Sequence, residues 1–408
     1  MSPLHVAVAL DGAGWHPAAW REAGARPAEL FTAGYWADLV RTAERGLLDL
    51  VTIEDAFGLQ SGDHLAEPER RTDRVQGRLD AELVAAFVAP LTHRIGLVPT
   101  VTTTHTEPFH VASALATLDH DSRGRAGWRV QTSVRPDEAA HFGRRTIPGL
   151  RRDALDTPEA QALVAELFGE AADAIEVVRR LWDSWEDDAE IRDDAANKFL
   201  DRDKLHHIDF AGDHFSVRGP SIVPRPPQGQ PLVVSLGHGW EPYRLAARGG
   251  DVLFVTPHDV AEVATILEEV RAAERDVGRT GASGATGNDA APPLTVFADL
   301  VVLLADTEEA ARERLARLDA IDPLTSDAAI LATTPTALAD LLVAWREAGL
   351  DGFRLRPAVL PTDLDAIVDG LVPALQERGA FRTEYAESTL RERFGLARPA
   401  SRYATAGV

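Results

Sequence analysis

Short apolar runs alternate with segments whose apolar residues recur at helical spacing, and that alternation leaves few folds open. His5–Leu10, Leu50–Ile53, Ile95–Val101 and Ala126–Gln131 read as buried strands. Thr32–Leu47, Asp80–Leu91 and Glu107–Leu118 read as the helices between them. Four strand–helix alternations in about 130 residues predict a parallel sheet closed by crossover helices. The fourth unit is the most informative. A helix ends near His120, Arg123-Gly124 makes a tight turn, and a short strand delivers Arg129, Gln131, Thr132 and Ser133 to its carboxyl end. In α/β barrels that end of the strands carries the chemistry.

The rest of the chain extends the pattern. Residues 134–157 read as loop, and Glu159–Trp185 as a long helix with one apolar face. Residues 186–228, acidic and then Pro-rich with an extended segment at Asp213–Val217, read as an insertion packed outside the barrel. Leu232–Leu236, Val252–Val255, Leu294–Leu304 and Gly352–Leu355 supply strands five to eight. Helices are expected after Gly239 and over Val260–Val277, Glu308–Leu318, Pro335–Ala348 and 363–378. Residues 58–78 read as a mobile loop, 278–293 as a linker-like surface loop, and 380–408 as a polar tail. The expected architecture is α/β: one TIM-like (β/α)8 barrel domain over 1–408, with insertions after strands 4 and 7.

Composition narrows the function. A net charge of −22 argues against nucleic acid, whose phosphates demand clustered Lys and Arg. Lys198 and Lys204 are the only lysines, which reads as coding bias. Without Cys there is neither a disulfide framework nor a thiolate metal site. The 13 histidines show no metal-ligand spacing, so no metal is expected. Neither a signal segment nor an 18-residue apolar run occurs, which predicts a soluble cytoplasmic protein without a membrane partner.

Several strand ends carry candidate site residues. Gly237-His238-Gly239 leads from strand five into a helix, where outward backbone N–H groups and the helix dipole make a phosphate cradle that needs no lysine. A plain glycine turn would have the same pattern. Thr100 to Thr104, with His105 behind them, offer hydroxyls to a heterocycle, although threonine is also simply a good strand former. Asp55 follows the second strand and faces either ligand or solvent. His16, His105 and His238 each lie just past a strand's carboxyl end. There is no Gly-x-Ser-x-Gly elbow.

The fourth-strand stretch Gly124-Arg125-Ala126-Gly127-Trp128, with Val130 and Thr132-Ser133, resembles the signature of the bacterial luciferase-like flavin monooxygenases. The likeness is to the branch containing nitrilotriacetate, dibenzothiophene-sulfone and long-chain alkane monooxygenases. Arg41 to Gly46 with Asp55 downstream, Glu107 to His110, Leu181 to Ala189, Gly219-Pro220 and Pro227 to Gly229 agree with it in order. The resemblance implies a two-component system. A separate flavin reductase supplies reduced FMN as co-substrate, and the barrel activates molecular oxygen as a flavin hydroperoxide. A small or medium organic substrate is then oxygenated, and the resemblance also implies a homodimer.

Residue by residue, the resemblance places Asp55 and Thr102 against the isoalloxazine ring and Gly237, His238 and Gly239 at the phosphate. The family's usual serines are here His238 and Gly239, its Asn is Arg129, and its Arg-Tyr pair on the long helix is Leu167-Phe168. Arg129 is expected to meet phosphate or a substrate carboxylate, or to fill the flavin pocket. His16 and His105 are the candidates on the substrate side. Two further readings follow from the departures: a deazaflavin-dependent hydride-transferring oxidoreductase, and a flavin-poor, non-catalytic barrel.

Overall fold

The computed structural model describes residues 4–61, 65, 71–279 and 291–404. Eight parallel strands form the core: β1 His5–Leu10, β2 Leu50–Ile53, β3 Gly96–Thr102, β4 Gly127–Gln131, β5 Leu232–Leu236, β6 Val252–Val255, β7 Thr295–Leu304 and β8 Gly352–Pro357. They run β6-β5-β4-β3-β2-β1-β8-β7, and pairing of β7 back onto β6 closes the barrel. The helices that cover it are α1 Ala33–Arg45, α2 Ala81–Val88, α3 Pro108–Ser122, α4 Pro136–Phe142, α5 Pro158–Asp183, α6 Trp240–Gly249, α7 Val260–Asp276, α8 Glu308–Asp319 and α9 Pro335–Glu347. Helices cover the outer faces, so the outward side chains of the strands are largely apolar, while the inward ones include Arg129, Asp299, Arg354 and Arg356.

Four expectations need correction. The 134–157 segment is not all loop: Pro at its first position and Asp137 and Glu138 in its first turn favour α4, which Gly143 ends in the left-handed conformation. The insertion after β7 carries an extra strand, Ala329–Thr333, beside the upper half of β7 and outside the barrel. The 363–378 helix is interrupted by a π-type turn at Ile367–Leu371. The 186–228 insertion contains two small antiparallel hairpins, of which only the strand Ser216–Val217 overlaps the expected extended segment. Most of the 278–293 loop and part of the 58–78 loop lie outside the described residues.

The tail is also more than polar. Leu390 and Phe394 are buried and enter the amino-terminal end of the barrel with Leu50, Val98, Leu232 and Phe297. Gly96 makes room for them, since a Cβ there would lie 2.6 Å from Leu390. His5 stacks on Phe394 at 4.6 Å, and Arg382 and His5 both reach the fully buried Asp49. The bottom of the barrel is sealed.

Above that apolar layer the interior becomes charged. Side chains alternate across a strand, so Arg354 and Arg356 of β8 point to the same side, as do Thr52 and Glu54. Glu54 accepts from Arg354 at 2.9 Å and pairs with Arg129 of β4 at 2.9 Å. Arg354 grips Asp299 of β7, whose carboxylate also takes Arg356. Arg356 continues to Asp327 at 2.7 Å. Burial alone would raise the Glu54 and Asp299 carboxyls, but the arginines outweigh it and hold both below their usual range.

Candidate active site

The carboxyl ends of β2, β3 and β4 bring Asp55, Thr102 and Arg129 together through Gln131. Its amide nitrogen donates to the Asp55 carbonyl at 3.0 Å and to Thr102 Oγ1 at 3.2 Å, while Oε1 accepts from Arg129 at 3.3 Å. Arg129 also donates to Thr100 at 2.9 Å. The Asp55 carboxylate accepts from the Ala56 and Ala81 backbone N–H groups, the second being the first residue of α2. Burial still pushes its pKa up to about 6, against those N–H groups and Arg78. Glu82, one residue on, is pushed up to about 7 by burial and the nearby Asp80 and Asp55 carboxylates.

Across the mouth, β5 ends in the glycine turn. The Gly237 N–H donates to the Phe254 carbonyl, and a Cβ on Gly237 would press on Pro242 and Tyr243. Gly239 has φ +130°, nothing lies within 4 Å of where its Cβ would stand, and no side chain caps α6. The first-turn N–H groups of Trp240 and Glu241 therefore have no side-chain cap, and Pro242 at the third position has no N–H. His238 is held at both nitrogens, Nδ1 by Thr256 at 2.9 Å and Nε2 by Asp327 at 3.1 Å. It is the outer end of the ionic chain that begins at Arg129.

The other two histidines behave differently from each other. His16 is buried; its Nδ1 accepts from the Ala18 N–H at 3.1 Å, so Nε2 carries the proton and donates to Asp319. Burial lowers its pKa against the pull of Asp319. His105 is also buried and pushed down, by burial and then by the Arg145 charge, but its Nε2 has no partner. Its ring stacks on Phe142 at 4.9 Å, with Phe57 edge-on to Phe142 at 4.7 Å. Phe168 packs partly buried among the apolar residues of α3 and α5, and Leu167 against Ala139 and Ile147.

Sequence reasoning missed Glu54 as a partner, the Arg354–Asp299–Arg356 group, Asp327, and the aromatic pair Phe57 and Phe142. The spacing Arg354-x-Arg356 inside an apolar strand was the one available signal for the charged interior.

Among the described residues, nine buried side-chain polar atoms lack a hydrogen-bond partner. Six of them belong to the mouth half built by β1–β4 and their loops: Trp15 Nε1, Gln76 Oε1, Arg78 Nε, Glu82 Oε1, His105 Nε2 and Arg129 Nε. Native folds leave few such groups unpaired, and a polar ligand at the mouth would be one partner for those that face it.

A closed parallel barrel with unsatisfied donors and acceptors at its carboxyl mouth defines a (β/α)8 enzyme with its site at the strand ends. The sequence model of the luciferase-like monooxygenases matches residues 13–350. The chain belongs to that family and is a monooxygenase of its class. It is 32% identical to nitrilotriacetate monooxygenase component A of Aminobacter aminovorans, over 95% of each chain. It is also 32% identical to the dibenzothiophene-sulfone monooxygenase of Rhodococcus erythropolis, over 93% of each. The EDTA monooxygenase of Chelativorans sp. BNC1 superposes with a TM-score of 0.80 at 25% identity, covering 97% of this chain and 99% of that one.

Proposed function

We propose that the chain is the oxygenating component of a two-component system, using reduced FMN from a separate flavin reductase. Membership in the luciferase-like monooxygenases and the likeness to nitrilotriacetate monooxygenase component A carry this reading, and the unpaired polar atoms at the β1–β4 mouth are compatible with it. The balance is one reduced FMN and one O2 consumed, one oxygen atom placed in a small or medium organic substrate, and water released. Reduced FMN, when bound, supplies the two electrons that activate oxygen.

The residues present fit such a group. Gly237 to Gly239 and the uncapped start of α6 would hold the phosphate, with the missing serine and tyrosine hydroxyls replaced by backbone N–H groups. Thr102, Asp55 and the free Nε of Arg129 would line the polar edge of the ring. His105 faces the substrate side, and His16, with both nitrogens engaged, holds the loop after β1 against α8. Buried aromatic and aliphatic walls would keep water from the reacting oxygen.

The protein would work in the cytoplasm as a homodimer. Leu83 and Phe87, exposed four residues apart on α2, support a covered helix face, and among the described residues no helix is long and apolar enough to cross a membrane.

Anaerobic titration with reduced FMN, oxidised FMN and the reduced deazaflavin coenzyme tests the reading. The expected result is tight binding of reduced FMN and, once oxygen is admitted, oxygen uptake matched to it. Turnover with the deazaflavin alone would make the protein a hydride-transferring oxidoreductase, and no binding of any of them would make it a non-catalytic barrel.

A further inference from the structure

The rim above β2–β4 carries a three-ring cluster. The Gly58 N–H donates to Glu138 of α4 at 3.0 Å, which sets Phe57 beside Phe142 at the end of the same helix. The two rings meet edge to face, and Phe142 stacks on His105 with an interplanar angle of 13°. Phe57 and Phe142 are 39% and 36% exposed, whereas His105 is 6% exposed and its Nε2 is unpartnered. An imidazole nitrogen thus waits one ring below an exposed aromatic surface, next to the strand ends that hold Asp55 and Thr102.

Charge at the mouth points the same way. Arg129 is matched by Glu54, Arg135 by Asp137, Arg145 by Glu170, and Arg356 by Asp299 and Asp327. Arg78 faces Asp11 at 3.7 Å. Each of these guanidiniums already has a carboxylate, and the chain as a whole carries −22. A substrate with several carboxylates would have to compete for every cation and approach against the protein's field.

We propose that the substrate is an uncharged, ring-bearing molecule whose hydrogen-bonding group meets His105 Nε2 while its ring packs on the exposed surface of Phe57 and Phe142, and that it is not a polycarboxylate. The proposal rests on the monooxygenase reading of this mouth. Phe142 ends a seven-residue helix and is partly exposed, and the proposal requires its side chain to turn aside as the ring enters. Aromatic surface supplies the affinity, and the single unpaired nitrogen supplies orientation, because a ligand lacking the polar group leaves it unsatisfied.

Equilibrium dialysis of the full chain, with and without FMN, tests this with three probes: dibenzothiophene sulfone, the parent dibenzothiophene, and nitrilotriacetate. The sulfone is expected to bind at least about tenfold tighter than nitrilotriacetate. His105→Phe, which keeps a stacked ring, is expected to weaken the sulfone about tenfold and the parent less than twofold. Phe142→Ala is expected to weaken both neutral probes. Nitrilotriacetate binding as tightly as the sulfone, an equal effect of His105→Phe on both neutral probes, or binding of none of the three would overturn the proposal. Reduced FMN titrated into the same preparation separates the two readings. Flavin binding without sulfone binding overturns the substrate class alone, and sulfone binding without flavin binding overturns the cofactor reading alone.

Discussion

Arg129 and Glu54 meet inside the barrel with Nη1 2.9 Å from Oε2, and both are more than nine-tenths buried. Glu54 is shared with Arg354, but among the described residues it is the one carboxylate paired with Arg129. Removing Glu54 therefore strands a buried cation, whereas removing Arg129 leaves Glu54 paired. Glu54→Gln is expected to cost about 3 kcal/mol or more, and Arg129→Asn clearly less. Urea unfolding of the two variants gives the order, and the reverse order would break the argument.

The same pair shows where reading the sequence stops. The eight strands were legible because parallel barrel strands are apolar runs between helices, and β1, β2, β5 and β6 have the bounds that their apolar runs mark. Asp55, Thr102 and Arg129 were legible as strand-end positions, and they do converge. What was hidden depends on contacts between distant segments. Asp327, outside any expected element, meets Arg356 and His238, and Leu390 in an apparently polar tail fills the barrel bottom. His16 and His105 look equivalent in sequence, and only packing shows that one has both nitrogens engaged and the other an unpartnered Nε2.

Burial holds Asp55 at about 6 and Glu82 at about 7, above the range of the unfolded chain. The folded protein then keeps these protons more tightly than the unfolded one. Their contribution favours folding in acid and is lost as pH rises from about 4 through 6 for Asp55 and through 7 for Glu82. Glu82→Gln should therefore raise the urea midpoint more at pH 8 than at pH 5. An equal gain at both pH values would show that Glu82 titrates normally.

Leu390 is fully buried beneath the strands, against the bare Cα of Gly96. Leu390→Ala opens a cavity at the barrel floor and is expected to cost about 2–5 kcal/mol. The mouth lies at the other end of the strands, so FMN affinity should stay within about twofold of the parent. A stability loss under about 1 kcal/mol would mean that the tail docks loosely.

Gly239 tests the phosphate cradle without disturbing the protein's own packing. A Cβ at this position would touch no protein atom within 4 Å, so Gly239→Ala acts only on the turn and on what the turn holds. Its φ of +130° is instead one that an alanine adopts only with strain, on the order of 1 kcal/mol or more. The backbone would relax, turning the first N–H groups of α6 away from their present direction. An anion bound there feels that change, and an uncharged ribityl chain does not. Reduced FMN is expected to bind Gly239→Ala about tenfold more weakly, with riboflavin affinity unchanged. An equal loss for both ligands would place the phosphate elsewhere and leave the turn a structural one.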